Sequence, residues 1–474
     1  MANKRIYLNA FDMNCVGHQS PGLWTHPEDQ SHRYKDSSYW IELAQILEKG
    51  QFDAVFIADV LGYYDVYDGS RDAAVRQGAQ TPVNDPSLIV PLMSAVTKHL
   101  GFGVTASVTH EHPYTFARRM STLDHLTDGR VGWNIVTSYL KSAAVNMGLE
   151  DQIKHDERYD IAQEYLEVCY KLWEGSWEDD AVLRDKERGI FTDPSKVHDI
   201  NHDGHYYKVP GAHLCEPSPQ RTPVIYQAGA SMKGRAFAGR NAECIFIGAP
   251  TINAAKQSVI KLRAEAEQAG RAPDEIKILT MVTPVVGRTE EEAWEKFNDY
   301  KKHISYEGAL ALFGGWTGID LSEYAPDENL RYVKNDAIQS AVENFTKIDP
   351  DINWTVDKIK EHVGIGGLGT KIVGSPEQVA DELERWVDEA GVDGFNIAYA
   401  ITPGTFKDFT ELVVPILQER GLVRREYGGE TLRDNLFGKG SQLQAHHPGK
   451  KYTKNETRGQ FSRSTLASKV EQRT

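Results

Sequence analysis

Residues Asp124–Leu140 read D-H-L-T-D-G-R-V-G-W-N-I-V-T-S-Y-L, and this stretch is the most informative part of the chain. A helix end and a D-G-R turn lead into a short apolar strand, Val131–Val136, which carries Asn134 and runs directly into Thr137 and Ser138. The carboxyl end of a buried strand is where a (β/α)8 barrel builds its active site. The stretch therefore predicts a barrel strand with functional side chains at its end.

Apolar segments of strand length alternate with segments of helical period along most of the chain. Near-continuous apolar strands, each followed by a helix, indicate a parallel sheet that is buried on both faces. The alternation predicts an α/β fold, a (β/α)8 TIM barrel with long insertions. The predicted strands are Ile6–Ala10, Ala54–Ala58, Gly103–Val108, Val131–Val136, Val224–Gln227, Cys244–Ile247, Ile276–Val282 and Gly394–Ala398. The predicted helices are Tyr39–Lys49, Leu88–His99, Thr115–Leu126, Ile161–Trp173, Lys233–Arg240, Ala254–Ala269, Pro376–Ala390 and Phe406–Arg420.

Two stretches, residues 177–223 and 306–371, break this alternation. Both are too long for ordinary connections, and long insertions in a compact barrel usually form lids or binding loops. We therefore predict one barrel domain over residues 1–440 with these two insertions. Residues 441–474 are predicted to be a disordered tail, because the end of the chain is basic and has few apolar residues.

Charge and cysteine usage narrow the class of protein. A net charge of −15 argues against a nucleic-acid or anionic-membrane surface. No apolar run is long enough to cross a bilayer, and the first residues do not resemble a signal peptide. The 4 cysteines are scattered without a C-x-x-C pair, which favours a reduced compartment. We expect a cytoplasmic protein.

Several motifs imitate known sites without the surrounding structure that those sites need. The G-x-G-x-x-G at Gly364–Gly369 has no apolar strand before it and no helix opening inside it, so we interpret it as a lid hinge rather than a dinucleotide site. Asp199–Gly204 resembles the start of a calcium loop, but the twelfth position is Pro210. The histidines of that loop lack a matching carboxylate or cysteine cluster, so no metal is predicted.

The segment V-I-Y-Q-A-G-A-S-M-K-G-R leads from a strand into a helix whose first turn holds Ser231, Lys233 and Arg235. Backbone amides at a helix start, a hydroxyl and nearby cations can together bind a phosphate. The alternative is an ordinary Ser N-cap followed by a solvated basic turn. Both interpretations fit the sequence.

A set of segments spread over roughly residues 5–437 resembles the bacterial luciferase-like monooxygenases. The similar branch contains the nitrilotriacetate, dibenzothiophene-sulfone, dimethyl-sulfide and long-chain-alkane monooxygenases. The segments include N-A-F-D-M-N-C-V-G-H (Asn9–His18), F-I-A-D-V (Phe56–Val60), A-R-R-M-S-T-L-D-H-L-T (Ala117–Thr127), W-N-I-V-T-S (Trp133–Ser138), H-D-E-R-Y (His155–Tyr159) and E-P-S-P-Q-R-T-P-V-I-Y-Q-A-G-A-S (Glu216–Ser231). The resemblance implies a barrel that binds reduced FMN (FMNH2), supplied by a separate NAD(P)H-dependent flavin reductase. It further implies that dioxygen adds at the flavin C4a carbon and that the resulting (hydro)peroxide transfers one oxygen atom to the substrate.

The resemblance also implies the site residues, in three groups. Those around the flavin ring and ribityl chain are Asp59, Thr105, Asn134 and Ser138. Those near the phosphate are His155, Arg158, Tyr159 and Ser231. The candidate catalytic residues are Cys15, His18, Tyr64 and Gln80. Of these four, His18 is a candidate proton donor or peroxide stabiliser. Tyr64 and Gln80 are candidate pocket walls, and Cys15 has the alternative of a small buried apolar residue.

The substrate class is indicated by differences within that branch. T-S-Y-L (Thr137–Leu140) and the segment Glu307–Asp320 resemble the dimethyl-sulfide type, whereas the N-terminal quarter resembles the alkane type. Alkane-type sequences carry histidines where this chain has Tyr139, Ala309 and Leu312. We predict a two-component FMNH2-dependent monooxygenase that acts on a small apolar or organosulfur substrate. Long-chain alkane hydroxylation is the alternative.

Two other classes of protein would suit the same barrel. A deazaflavin-dependent dehydrogenase would transfer hydride without oxygen, and a non-catalytic protein would only bind or store flavin. The H-D-E-R-Y segment (His155–Tyr159) and the large insertions favour the monooxygenase branch. The expected partners are a flavin reductase, dioxygen and the small substrate, with no nucleic acid and with a homodimer or homotetramer as the assembly.

Overall fold

Parallel strands form the centre of the molecule, seen here in a computed structural model that describes residues 4–229, 231–330, 343 and 353–454. The strands are β1 (Tyr7–Met13), β2 (Ala54–Ala58), β3 (Gly101–Ser107), β4 (Val131–Val136), β5 (Val182–Asp185), β6 (Ile190–Thr192), β7 (His202–Asp203), β8 (Lys208–Val209), β9 (Val224–Gln227), β10 (Cys244–Ile247), β11 (Lys277–Val286), β12 (Thr370–Gly374) and β13 (Gly394–Ile397).

Of these strands, β5 pairs with β6 and β7 pairs with β8 in two separate antiparallel sheets. Helices surround the parallel strands. They are α1 (Ser37–Lys49), α2 (Asp72–Gln77), α3 (Val90–Ser94), α4 (Pro113–Leu126), α5 (Lys141–Asn146), α6 (His155–Gly175), α7 (Met232–Asn241), α8 (Ile252–Gln268), α9 (Glu290–Lys301), α10 (Tyr306–Thr317), α11 (Val356–Val363), α12 (Pro376–Ala390), α13 (Gly404–Asp408), α14 (Val414–Glu419) and α15 (Leu432–Phe437). Short 3-10 helices lie at Leu23–Thr25, Ser31–Arg33, Tyr67–Gly69, Pro86–Leu88, Pro194–Lys196, Pro273–Glu275, Leu321–Glu323 and Pro448–Tyr452. Within the described ranges, no helix is long and apolar enough to cross a membrane.

The strands close into the predicted (β/α)8 barrel. Parallel pairing runs in the order β1, β2, β3, β4, β9, β10, β11 and β13, and β13 returns to β1 with Gly394 opposite Tyr7. All the predicted barrel strands are confirmed, four of them with the predicted bounds and the others with ends that differ by up to four residues. The sequence missed β12, which pairs with the far half of β11 from Thr370 opposite Val282 onwards. Its residues T-K-I-V-G straddle the predicted end of the second insertion and are only partly apolar.

Side chains alternate between two apolar layers, as a buried parallel sheet requires. On β1, Leu8 and Ala10 belong to the large cluster between the strands and the helices. Phe11 belongs instead to the cluster inside the barrel, together with Phe56 and Tyr226. This alternation lines the barrel interior mostly with apolar side chains, although the buried amides Asn9 and Asn396 share it.

The predicted helix Leu88–His99 is wrong over most of its length, because only Val90–Ser94 is α-helical. The backbone N–H groups of Lys98, His99 and Leu100 donate instead to the Glu48 carboxylate at 2.6–3.1 Å. A distant side chain therefore supplies the partners that a continued helix would have supplied. The predicted terminal helix Phe406–Arg420 is present, but it is interrupted by a π-helical turn at Phe409–Val413.

The chain stays packed beyond the predicted domain boundary at residue 440. The His447 imidazole Nε2 lies 2.8 Å from the Asn241 carbonyl oxygen, and the Thr453 hydroxyl donates to Glu174 at 3.0 Å. The predicted tail boundary at residue 441 is therefore too early. Residues 455–474 lie outside the described part of the chain, so the tail prediction for them stays a prediction.

The amino ends of the strands are closed by an ion pair between Arg433 and Glu243. Both side chains are buried, and the Arg433 Nε and Nη2 atoms donate to the two Glu243 oxygens at 2.7 and 2.9 Å. Gln220 accepts from the Arg433 backbone N–H and donates to Asp124 at 2.7 Å. This end is a packed base held by a buried ion pair, which leaves the carboxyl ends of the strands as the place for an open site.

Candidate active site

A cavity of about 270 Å³ opens at the carboxyl ends of the barrel strands. Its apolar floor is formed by Phe11, Phe56 and Phe246, whose ring centroids lie 5.0–5.7 Å apart. Among the predicted site residues, Cys15 does not line the cavity. Those that do are His18, Asp59, Tyr64, Gln80, Thr105, Asn134, Ser138, His155, Arg158, Tyr159 and Ser231. The fold thus brings residues from distant parts of the chain to one place, as the barrel rule predicts.

One wall of the cavity carries unpaired hydrogen-bonding capacity. The Asn134 amide Nδ2 donates to the Thr105 hydroxyl at 2.9 Å, whereas its Oδ1 has no partner within the described ranges. Asp59 lies on the same side, and burial, followed by the neighbouring Asp85, raises the pKa of its carboxyl to about 7. A buried polar atom without a partner is rare and needs an explanation. A bound ligand with a polar edge, such as an isoalloxazine, would explain the unpaired Asn134 oxygen.

The chain turns sharply where β4 ends, and a buried arginine holds the turn. Ser138 has a φ of +55°, a left-handed conformation that is uncommon outside glycine. The Arg158 guanidinium donates to the Ser138 carbonyl oxygen, and the Ser138 hydroxyl lies 2.8 Å from the Ser107 hydroxyl. These contacts fix the backbone at the edge of the cavity and aim the following side chain inwards.

The start of α7 forms the far end of the cavity. The Ser231 hydroxyl accepts from the Gly234 backbone N–H at 3.0 Å, so the N-cap interpretation is confirmed. Ser231 also lines the cavity beside Tyr159, so the structure is compatible with both interpretations of this hydroxyl. A Cβ at Gly234 would lie 2.7 Å from the Tyr159 hydroxyl, which explains the glycine in this helical turn. Lys233 points away and pairs with Asp160 at 2.8 Å.

His18 lies against the aromatic floor. Its ring contacts Phe11 edge-on at a centroid distance of 4.5 Å, and only 1% of the residue is exposed. Neither ring nitrogen has a hydrogen-bond partner of good geometry within the described residues. Burial lowers the pKa of the His18 imidazole to about 3, so the ring is neutral at physiological pH. A neutral imidazole presents one donor and one acceptor to the cavity.

Tyr64 is the centre of a hydrogen-bond network above His18. Its hydroxyl donates to Gln80 Oε1 at 2.7 Å, lies 3.0 Å from the Tyr139 hydroxyl and accepts from the Trp316 indole at 3.3 Å. Gln80 in turn donates to the His18 carbonyl oxygen at 2.6 Å. The network joins the segments that follow β1, β2 and β4 to the second insertion over the mouth of the barrel.

The glycines of two motifs in the second insertion allow neighbouring segments to pack closely. A Cβ at Gly315 would overlap the Tyr64 ring, so the first motif, G-G-W-T-G, lets α10 approach the cavity and place Trp316 there. Side chains at Gly366 and Gly367 would overlap Thr283 and Gln19, and both glycines have positive φ. The predicted hinge at Gly364–Gly369 is therefore a tightly packed turn, because these glycines leave no room for side chains.

Cys15 lies behind the site. It is buried, its backbone bridges to Val83, and burial raises the pKa of its thiol. A buried thiol that is not ionised behaves as a small apolar residue. The alternative interpretation of Cys15 is therefore the one that its position favours.

Several lining residues were absent from the sequence-based set. Gln227 ends β9, and the rule that polar residues at strand ends form barrel sites would have found it. No such signal marks Trp316, Met281 or Leu368, because apolar residues in loops and strands are common. Only the folded chain shows that these side chains face the cavity.

The barrel and its cavity define a class of protein. A (β/α)8 barrel with a polar wall, an apolar floor and a helix start at its far end suits a flavin, whose ring needs hydrogen bonds at one edge and whose phosphate needs backbone amides. The residues present fit such a group. The family model of the luciferase-like monooxygenases matches residues 13–394, and the chain belongs to this family.

Similar proteins are found at high identity. The chain is 55% identical over 450 residues to the dimethyl-sulfide monooxygenase of Hyphomicrobium sulfonivorans, covering 95% of this chain and 94% of that protein. It is 55% identical over 439 residues to the long-chain alkane monooxygenase of Geobacillus thermodenitrificans (strain NG80-2), covering 92% and 95%. A riboflavin lyase structure with modified FMN and riboflavin superimposes with a TM-score of 0.89 at 38% identity, over 95% of this chain and 100% of that one.

Proposed function

We propose that this protein is the oxygenase of a two-component system, which uses FMNH2 to insert one oxygen atom from dioxygen into a small apolar or organosulfur substrate. The observation that carries the proposal is the composition of the cavity. Its polar wall holds a buried Asn134 oxygen without a partner within the described part of the chain, and its floor is built of phenylalanines. A flavin and an apolar substrate can therefore meet inside one water-excluding space.

The flavin would be held at two points. Asp59, Thr105, Asn134 and Ser138 would bind the ring and the ribityl chain, and His155, Arg158, Tyr159 and Ser231 would bind at the phosphate end. When bound, the reduced flavin supplies the two electrons that activate dioxygen for transfer of one oxygen atom. The protein contributes position, hydrogen bonds and exclusion of water.

His18 would orient the reacting oxygen. Its imidazole is neutral because it is buried, so it donates a hydrogen bond rather than acting as a charged acid. Both ring nitrogens lack partners within the described residues, and the ring lies on the apolar floor where the substrate would bind. Tyr64 and Gln80 would hold the His18 loop in position through the bond from Gln80 to the His18 carbonyl oxygen.

The substrate class follows from similarity and from the cavity. Relatives at the same identity act on dimethyl sulfide and on long-chain alkanes, as their names state. The segments Thr137–Leu140 and Glu307–Asp320 resemble the dimethyl-sulfide type, and Tyr139 lines the cavity at a position where alkane-type sequences carry a histidine. We therefore favour a small organosulfur compound, with alkane hydroxylation as the second candidate.

A separate NAD(P)H-dependent reductase would supply FMNH2. The motif at Gly364–Gly369 is a packed turn between α11 and β12, and it does not have the strand-to-helix geometry of a dinucleotide site. We expect the purified protein with FMN to oxidise NADH no faster than FMN alone does. Rapid NADH oxidation by the protein with FMN would contradict this part of the proposal. The homo-oligomeric state and the cytoplasmic location stay predictions.

Oxygen uptake and product formation with chemically reduced FMN test the function. The assay compares dimethyl sulfide, linear alkanes, aminopolycarboxylates and aromatic sulfones, and it measures product and hydrogen peroxide together. We expect substrate-dependent product with the small sulfide. Product with alkanes alone would favour the second candidate, and flavin binding without product on any substrate would favour the non-catalytic class.

A further inference from the structure

A second, smaller cavity of about 50 Å³ lies beside the main one. Residues that line this recess, but not the main cavity, are Leu61, Ser107, Leu140 and Ala143. Three of these four side chains are apolar, so the part of the recess away from the main cavity suits alkyl groups, whereas the shared residues Asp59, Thr105 and Ser138 make its inner side polar. Leu61 is 45% exposed, which places one end of the recess near the surface.

Six residues line both cavities, and Tyr139 has the largest side chain among them. The others are Asp59, Val60, Thr105, Val136 and Ser138, which lie at or next to strand ends. Tyr139 lies one residue further along, beyond the left-handed Ser138, and lines both cavities. The ring can therefore be removed without altering a barrel strand.

The Tyr139 ring is held in position at both ends. Its backbone follows the turn that the Arg158 guanidinium and the Ser107 hydroxyl hold through Ser138. Its hydroxyl lies 3.0 Å from the Tyr64 hydroxyl, which Gln80 fixes in turn. An aromatic ring anchored in this way acts as a wall rather than as a mobile side chain.

We infer that Tyr139 determines substrate length in this protein, because its ring closes the main cavity against an apolar recess that could otherwise hold additional alkyl carbons. This inference rests on the proposed function, since it assumes that the substrate occupies the apolar part of the main cavity. Removing the ring joins the recess to the main cavity. Each further methylene that enters an apolar pocket then increases affinity roughly fourfold.

The test compares wild type with Tyr139→Ala and Tyr139→Phe across linear dialkyl sulfides from dimethyl to dipentyl. Affinity is measured by titration calorimetry in the presence of oxidised FMN, and product formation is measured with reduced FMN. We expect the wild-type affinity to peak at a short chain and the Tyr139→Ala peak to move to longer chains. Tyr139→Phe should shift the chain-length preference much less than Tyr139→Ala does, because the ring remains and only its hydroxyl anchor is lost.

A second variant blocks the recess from its other side. Ala143 is buried in α5 and lines the recess, so Ala143→Leu fills the space that Tyr139→Ala opens. The double variant should lose the preference for longer sulfides that the single variant gains. Thermal melting of every variant shows whether each one is folded.

Three results would overturn the inference. The first is an unchanged chain-length preference in Tyr139→Ala, and the second is an equal shift in Tyr139→Phe. The third is a change in FMN affinity alone, which would assign the recess to the flavin. Failure of the proposed function looks different, since wild type would then give no product with any sulfide. In that case the calorimetric series is repeated with n-alkanols, which need not be substrates, and the same three outcomes apply.

Discussion

The two ends of the barrel both bury polar side chains, but they differ in how these side chains are paired. At the amino ends of the strands, the Arg433 guanidinium bonds to both Glu243 oxygens, and Glu243 also accepts from the Ile225 backbone N–H. At the carboxyl ends, the Asn134 oxygen and both His18 ring nitrogens have no partner within the described chain. Paired buried groups hold a fold together, whereas unpaired ones are available to a ligand. Four predictions test this difference.

The largest effect is expected from breaking the paired end. Arg433→Met leaves the Glu243 carboxylate buried without its cation, which costs about 3–5 kcal/mol of unfolding free energy. Chemical denaturation monitored by circular dichroism measures this loss. Arg420→Met is the matched control, because Arg420 pairs with Asp381 and Glu384 near the surface and should cost at most about 1 kcal/mol. Equal losses of unfolding free energy in the two variants would contradict the view that the Arg433–Glu243 pair stabilises the amino end of the barrel.

The next effect concerns the unpaired end and leaves stability nearly unchanged. His18→Phe removes the hydrogen-bond donor that we propose for the reacting oxygen, while keeping an aromatic ring against Phe11. Product formation with reduced FMN should fall about 10²- to 10³-fold, the usual effect of losing one positioned donor. Hydrogen peroxide release should rise, and the dissociation constant of FMN should change less than twofold.

His18→Gln sharpens this test, because glutamine retains an N–H donor. We expect it to recover part of the lost product formation. Since the pKa of His18 is about 3, the variant and the wild type should show the same pH profile between pH 6 and 9. If the wild type shows a titration step in product formation that His18→Phe lacks, the imidazole acts as an acid instead.

A smaller effect is expected at the far end of the cavity. Ser231→Ala removes a hydroxyl proposed to bind the flavin phosphate, and a bond to a charged group of this kind contributes about 1.5–3 kcal/mol, or roughly ten- to a hundredfold in affinity for reduced FMN. Fluorescence titration measures that affinity. Ser375→Ala is the matched control, because Ser375 caps α12 in the same way and does not line the cavity. If both variants bind FMN as the wild type does, Ser231 is only a helix cap.

The smallest effect is a pH dependence at Asp59. Its carboxyl pKa of about 7 means that the neutral form predominates below pH 7 and the carboxylate above it. Because reduced FMN is anionic, its affinity should be highest below pH 7 and fall by about tenfold as the pH rises from 6.5 to 8.5. Asp59→Asn should remove this dependence. The flavin titrates equally in both proteins, so the difference between the wild type and Asp59→Asn reports on Asp59 alone. If the two plots of affinity against pH are parallel, Asp59 does not contact the flavin.

Sequence periodicity predicted the barrel well because each strand is apolar throughout and each is followed by a helix. Val131–Val136 and Val224–Gln227 were predicted with the bounds that the structure shows. The helix prediction was wrong where a distant side chain accepts the backbone hydrogen bonds, as Glu48 does from the N–H groups of Lys98 and His99. It also missed β12, whose pairing partner is the far half of β11 and not a sequence neighbour.

Part of the cavity lining was also visible in the sequence, because Asp59, Asn134 and Ser138 lie close to strand ends. Their family resemblance indicated the flavin, and their positions in the cavity agree with it. The pairing of polar groups was not visible, since Arg433 meets Glu243 across a separation of 190 residues. Only the tertiary structure shows that the Glu243 carboxylate is hydrogen-bonded and that the Asn134 amide oxygen has no partner within the described residues.

Local patterns determined which segments are strands and which residue types end them, because strand periodicity and the alternation of strands with helices are properties of neighbouring residues. Tertiary structure alone decided that Tyr139 lines two adjoining cavities, that Trp316 reaches Tyr64 and that Cys15 lies behind the site. Each of these facts depends on where loops from distant parts of the chain pack against one another. Such packing depends on volume and hydrogen bonding in three dimensions, which no spacing along the chain encodes.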